Sequence, residues 1–377
     1  MATPSTSSQS QQMTAAENAA ARNSLLTTGV HEYIKVGTFG PFSPGQTARM
    51  KLINIGVLTE VIARITATVD NSGTAAATPG PTAPYSLISN ATFFDYDNVP
   101  RVYATGPQLY MRSSVQQGAL YDVAYGATPE GGNVSSLVQV PTAVGTNTLS
   151  FDVTIPVAIH PESDLTGAIL AQTVAGEQFV QMAFPSTIVG SAANNLYTAG
   201  TVAVSNIYVE LVQRVIQPQL QAGSKGLVLP QLDLLTVYEF NANQITTSNL
   251  SVGQEKLIDY PNNRTVLGVY WSYLNGGSFN TNASDLSQVR QIANGSQPLR
   301  TLDPQILLHE MRRTLKGDLF PAHYFMLSRL VPIYTQLYGN VQLGVTPSSV
   351  GSGSQIDFGF ESLYPKGAVL PGVASGA

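Results

Sequence analysis

Apolar and polar residues alternate along much of this chain with a period of two. Within residues 60–70, Val61, Ala63, Ile65, Ala67 and Val69 fall on one side, and Arg64, Thr66 and Thr68 on the other. Successive side chains of an extended backbone point to opposite faces, so this spacing predicts a half-buried β-strand. The same alternation returns in Phe151, Val153, Ile155, Val157 and Ile159, and again in Ile207, Val209 and Leu211. It appears twice more near the end, in Val341, Leu343 and Val345 and in Ile356, Phe358 and Phe360. Gly, Pro and Asn separate these runs. Strands this regular from residue 32 onward predict an all-β protein of antiparallel sandwiches or barrels. Residues 71–86, 124–148 and 186–201 interrupt the pattern and are rich in Gly, Ala, Thr, Pro and Ser. Connections of this length are uncommon and usually functional. They are expected together at one end of the first barrel, as an exposed tower or contact rim.

Two short helices break the β pattern. Asp303 can cap a helix, Pro304 suits its first position, and Leu307, Leu308, Met311 and Leu315 make one apolar stripe. Arg312, Arg313 and Lys316 fall in the last turns, where cations complement the helix dipole, and Gly317 closes it. The other helix spans residues 107–117, again with Pro first and Gly118 after it. Gly106-Pro107-Gln108-Leu109 matches Asp303-Pro304-Gln305-Ile306, which suggests an internal repeat. In this reading each helix follows an aromatic strand (Phe93-Phe94 in one half, Tyr270-Trp271 in the other). Each half then ends on two alternating strands, residues 178–184 and 207–211 against 340–345 and 356–360. The expected division is an N-terminal arm (1–31), a first β unit with long loops (32–216), a linker (217–229), a second β unit (230–365) and a tail (366–377).

The arm itself starts with Ser, Thr and Gln over residues 1–12, a composition that stays disordered when free. Thr14 and Glu17 form a capping box ahead of an Ala-rich helix that runs to Leu26 and stops at Gly29. Such a helix is marginal alone. Two readings stay open: an arm that orders only against a neighbour or an underlying surface, or a helix packed on its own domain.

Composition narrows the function. Charged residues are 11% of the 377, against roughly 25% in ordinary domains, so neutral polar groups must cover the surface. A weakly charged surface tolerates dense packing beside copies of itself. The net charge of −5 gives no global affinity for nucleic acid, and residues 1–30 hold a single Lys or Arg, Arg22. Cys is absent, which excludes disulfides, thiolate metal sites and a Cys nucleophile, and fits assembly in a reducing cytosol. No apolar run approaches the ~18 residues of a membrane span, and no signal peptide is read.

Catalytic, cofactor and metal sites are not expected. His309-Glu310 opens like a zinc-protease motif, but Arg313 stands where the second His belongs. Asp95 and Asp97 are read as a polar turn rather than a cation site. Gly351-Ser352-Gly353-Ser354 lacks the Gly-Lys of a phosphate loop and reads as a hairpin. Arg312, Arg313 and Lys316 are read as a solvated or ion-paired helix end. The four histidines, His31, His160, His309 and His323, are scattered.

Five collinear stretches resemble the major capsid protein of membrane-containing tectiviruses: residues 162–170, 226–238, 275–280, Leu302-Asp303-Pro304 with Arg312-Arg313, and 332–341. The likeness runs from about Tyr33 to Tyr364, and the arm and the tail after Pro365 match poorly. It implies two tandem jelly rolls per chain, standing perpendicular to a shell, with a homotrimeric pseudo-hexagonal capsomer. It further implies an icosahedral virion, assembled in the host cytoplasm, with an internal membrane beneath the shell and the arm on the inner side. A six-fold block cannot fill a five-fold vertex, so a separate penton protein is expected as a partner, with minor capsid or membrane proteins. The arm's sparse apolar and basic content predicts only light membrane contact. Direct sequence-specific nucleic-acid binding is not expected. The other reading of the same architecture is a virion spike or a carbohydrate-binding adhesin.

Overall fold

The computed structural model describes residues 15–117, 140–171, 176–190, 195–218, 236–246, 250–276, 278–279, 284–315, 323–327 and 332–365. Its first eight main strands are β1 (Val30–Phe42), β2 (Thr47–Lys51), β3 (Val57–Asn71), β4 (Asn90–Phe94), β5 (Pro100–Ala104), β6 (Gly145–Pro156), β7 (Phe179–Ala183) and β8 (Val202–Gln217). They pair antiparallel in the orders β1-β8-β3-β6 and β2-β7-β4-β5. The chain thus changes sheet in the manner of a jelly roll.

Eight more strands repeat this winding: β9 (Thr236–Thr246), β10 (Lys256–Asp259), β11 (Thr265–Asn275), β12 (Leu286–Ala293), β13 (Gln297–Leu302), β14 (His323–Leu327), β15 (Val341–Pro347) and β16 (Gln355–Pro365). Their orders are β9-β16-β11-β14 and β10-β15-β12-β13. The molecule is therefore a double jelly roll, and its described residues include three α-helices: α1 (Ala15–Thr28), α2 (Gly106–Gln117) and α3 (Pro304–Leu315).

Helices α2 and α3 occupy equivalent places, each directly after the fifth strand of its barrel. The last two strands of each half also correspond, as the repeat predicts. The aromatic strands do not. Phe93 and Phe94 belong to the fourth strand of barrel one, whereas Tyr270 and Trp271 belong to the third strand of barrel two. Phe93 and Trp271 are both fully buried. Large rings fill the barrel interior from either strand, so aromatic content marks depth and not register.

The alternation in β3 does sort its side chains. Val61, Ala63, Ile65, Ala67 and Val69 are at most 1% exposed, while Arg64 faces solvent. The opposite face of this sheet carries Asp152, Arg64, Glu210 and Lys35 across its four main strands. Arg64 holds Asp152 in a two-pronged pair (2.9 and 3.1 Å), and Lys35 pairs with Glu210. Exposed pairs of this kind add little stability.

The described parts of the long loops gather at one end. Residues 78–79 pair with 197–199, Ala77 N–H and the Asn71 amide both donate to Thr142 O, and Tyr197 Oη donates to Pro141 O at 2.6 Å. Burial pushes the Tyr197 phenol up to about 12. The stretch 118–139 lies outside the described residues. So do Thr14 of the capping box, most of the linker, Lys316, Gly317 and the tail.

Helix α1 resolves the two readings of residues 15–28 in favour of packing on its own domain. Ala21 and Leu25 are buried, and Leu25 seats against Val57, Leu165, Ala168 and Ile216. Arg22 donates to Thr166 Oγ1 at 3.2 Å. Gly29 ends the helix through its N–H to Leu25 O (3.0 Å), and a Cβ there would meet Ile216 Cγ2 at 2.4 Å. Alanine spacing hid this contact, because a few small groups suffice where the helix lies close.

Replacing Ile65 by Asp would place an unpaired charge in the core of the first barrel. Such a charge costs several kcal/mol, so Ile65→Asp is expected to abolish soluble folded protein. Wild-type yield and melting temperature for that variant would contradict the facing of β3.

Candidate functional site: the joint between the barrels

The two barrels meet through an unusual joint. β5 of the first barrel pairs parallel with β9 of the second, with Val102 opposite Phe240, Tyr103 opposite Asn241 and Ala104 opposite Ala242. One sheet of each barrel thereby merges into a continuous ten-stranded sheet. Side chains of both barrels share one apolar core, including Val102, Leu109 and Met111 from the first and Tyr238, Phe240 and Tyr270 from the second.

Two buried ionic clusters lie at this joint, and the first is bonded across it. Arg112, on α2, is 2% exposed and reaches Glu361 on β16, which is fully buried, at 3.1 Å. The same guanidinium donates to Ile159 O (3.1 Å) and Gln116 Oε1 (2.9 Å), and it lies over the Tyr238 ring. Glu361 also accepts hydroxyl bonds from Tyr238 (2.9 Å) and Tyr270 (3.0 Å). Burial holds the Tyr238 phenol well above its usual range, with Glu361 adding to the effect and Arg112 opposing it. A buried carboxylate with three donors is compensated, whereas one stripped of its cation is not.

In the second cluster, Arg101 donates to Asp95 at 2.7 Å and to Gly167 O at 3.4 Å. Asp95 also accepts the N–H groups of Asp97 (3.0 Å) and Val99 (2.9 Å), which fixes the turn between β4 and β5. In the second barrel, Arg264 pairs with Glu239 and stacks 4.1 Å from the ring of Tyr364. Burial raises the Tyr364 phenol to about 12; Glu239 and Asp95 act in the same sense, Arg101 and Arg264 against it. Tyr364 thus senses the ion pairs of both barrels.

The connection between β6 and β7 ties these parts together. Within it Ile159 O receives Arg112, Gly167 O receives Arg101, and Thr166 receives Arg22 of α1. Glu162 pairs at 2.7 Å with Arg214, which also holds Glu60 at 3.2 Å. Arg214 keeps the Glu162 carboxyl below its usual range, whereas burial raises that of Glu60 despite the same cation. Gly167 has φ of +92°, and a Cβ there would lie 2.4 Å from the Tyr238 Cβ. Only glycine permits this approach.

The residues weighed for chemistry fall elsewhere. Asp95 is committed to Arg101 and the turn. His309 is exposed on α3, and Glu310 beside it pairs with Arg300. Asp303 caps α3 by accepting the Gln305 N–H (2.8 Å). Residues 351–354 form the turn between β15 and β16. Among the described residues, no three His, Asp or Glu side chains converge as a metal site would require. The joint itself escaped the sequence reading, because Arg112 and Glu361 lie 249 positions apart.

Comparison with known proteins decides the family. The description "P3 major capsid protein N-terminal" matches residues 32–210, and "P3 major capsid protein C-terminal" matches residues 235–371. This chain belongs to the P3 major capsid protein family. Major capsid protein P3 of Enterobacteria phage PRD1 is 26% identical over 381 residues, spanning 94% of this chain and 95% of that one. The capsid protein of Sulfolobus turreted icosahedral virus superposes with a TM-score of 0.65 at 12% identity, covering 89% of this chain and 97% of the other. The major capsid protein P2 of bacteriophage PM2 gives 0.50 at 10% identity, over 89% and 98%. These two share the fold. The P3-family chain is thus a structural component of a virion shell, and a capsid protein acts by self-association.

Arg112→Ala is expected to destabilise the folded chain by roughly 3–5 kcal/mol, because it leaves Glu361 buried without its cation. The double replacement Arg112→Met with Glu361→Met should recover most of that loss. Denaturant unfolding of wild type and these two variants measures both effects, and equal losses for single and double variants would contradict the pairing.

Asp357, on β16, supplies a pH test. Burial pushes its carboxyl up to about 6, against the hydrogen bond from Gln355. The folded chain then holds this proton more tightly than the unfolded chain. Its stabilisation is full below the ordinary carboxyl range and is lost as pH rises through about 6. Relative to wild type, Asp357→Asn should therefore gain up to about 3 kcal/mol between pH 4 and pH 7. Parallel urea titrations at several pH values would read this difference, and a flat one contradicts it.

Proposed function

We propose that three copies of this chain form a pseudo-hexagonal capsomer, and that many such capsomers build an icosahedral shell over an internal membrane. The rigid joint of two like barrels carries the reading. Three chains place six similar blocks about one axis, and a block of that shape tiles a flat facet. The 11% charged composition lowers repulsion between neighbouring copies. Weak contacts then suffice, because many act together.

In this reading the chain has no catalytic role, and the domains divide at 1–31, 32–216, 217–229, 230–365 and 366–377. Assembly takes place in the host cytoplasm, and a separate vertex protein fills the five-fold positions. Minor capsid or membrane proteins and light contact of the N-terminal arm with the membrane complete the inner side. One basic residue in the first thirty supports an arm that does not neutralise packaged nucleic acid.

Light scattering on purified protein is expected to give a stable species of three times the 40.0 kDa chain mass. A stable monomer that binds glycans would favour a spike or adhesin instead.

A further inference from the structure

The chain contains two Asn-Gly steps, Asn275-Gly276 and Asn294-Gly295, and their settings differ in chemistry. Asn294 and Gly295 form the tip of the β12–β13 hairpin, with φ of 51° and 76°. Ser296 N–H closes the turn on Ala293 O at 3.3 Å. Positive φ at both central residues is what the tight turn requires. Both residues are exposed, and a Cβ on Gly295 would meet nothing within 4 Å. Among the described residues the Gly295 N–H has no acceptor. The Asn294 side chain, by contrast, is held: its Oδ1 accepts the Gly339 N–H at 2.7 Å. A backbone donor on that oxygen withdraws charge from Cγ and stabilises the oxyanion that forms when a nucleophile adds there.

We infer that Asn294 is a site of spontaneous deamidation and backbone isomerisation. The Gly295 nitrogen attacks Asn294 Cγ, loses its proton to solvent base, and forms a five-membered succinimide. The Cγ–Nδ2 bond breaks, and the side-chain nitrogen takes a proton and leaves as ammonia. Water then opens either carbonyl of the ring, giving Asp or isoaspartate. Nucleophile and electrophile are adjacent in the chain, so no encounter entropy opposes the first step. Each event adds one negative charge at the hairpin tip. The isoaspartate product also inserts an extra backbone carbon between β12 and β13.

Asn275 is the internal control. Its Nδ2 donates to Ser349 Oγ, its Oδ1 accepts from Gly351 N–H and Ser354 Oγ, and the Gly276 N–H is bound to Ser354 Oγ at 3.0 Å. The nucleophile there is occupied and the side chain is fixed from several directions.

The test is prolonged incubation of the purified full-length protein at mildly alkaline pH, followed by peptide mass mapping. The readouts are the exchange of an amide for a carboxyl and isoaspartate content. Both amide oxygens accept a backbone donor, so the bound Gly276 N–H is what separates the sites, and conversion at Asn294 should exceed that at Asn275 by about tenfold or more. Gly295→Ala has room for its methyl group but is strained at φ of 76°, so its fold is checked by melting temperature; with the fold retained it should slow conversion at Asn294 about tenfold. Gly339→Pro, which removes the donor, should do likewise and leave Asn275 unchanged; Tyr338 before it already has φ of −122° and ψ of 153°, the backbone that precedes proline. An intact Asn294, or equal conversion at the two steps, would overturn the inference. An unaltered rate in Gly339→Pro would overturn the role of the donor.

Discussion

The structure depends on burying charge between two barrels without leaving any of it unpaired. Arg112 and Glu361 come from opposite halves of the chain and are withdrawn from water together. Among the described residues, each member finds neutral partners in its own barrel and its opposite charge in the other. The relative placement of the halves is therefore not a matter of apolar contact alone, which would tolerate sliding. Tyr238 and Tyr270 hold the Glu361 carboxylate in place within its barrel, and the directional bond from Arg112 then accepts a narrow range of orientations between the halves. Whether the ion pair adds net stability over an apolar filling is a separate matter; its effect on geometry follows from the direction of the bonds.

The β6–β7 connection shows how the constraint spreads. It gives two carbonyl oxygens to arginines at the joint and one hydroxyl to Arg22. It also gives a seat to Leu25 and a glycine that lets Tyr238 approach. This connection includes residues 162–170, one of the stretches that carry the resemblance to tectivirus capsid proteins. The likeness in that stretch coincides with the place where α1 and both barrels converge.

Much of the fold was legible from residue order. Alternation named the strands and their buried faces, as Ile65 and its neighbours in β3 show, because a strand's facing is a local property. Pairing order was not legible, since β1 finds β8 across the whole first barrel and nothing nearby encodes that choice. The aromatic strands misled the repeat for a related reason: a large ring reports that a position is deep, and two different strands reach the same depth. The joint was hidden because a lone arginine in a helix looks the same whether it meets water or a carboxylate 249 residues away. Helix α1 was ambiguous because alanine suits both an exposed helix and a closely packed one.

The merged sheet has a consequence for cooperativity. Melting the second barrel alone would strip β5 of a hydrogen-bonded neighbour and expose Val102 and the core around it. Melting the first alone would do the same to β9 and Phe240. Neither half has an independent boundary across which disorder could stop. Calorimetry on a single chain should therefore register one endotherm, with the two barrels behaving as one thermodynamic unit.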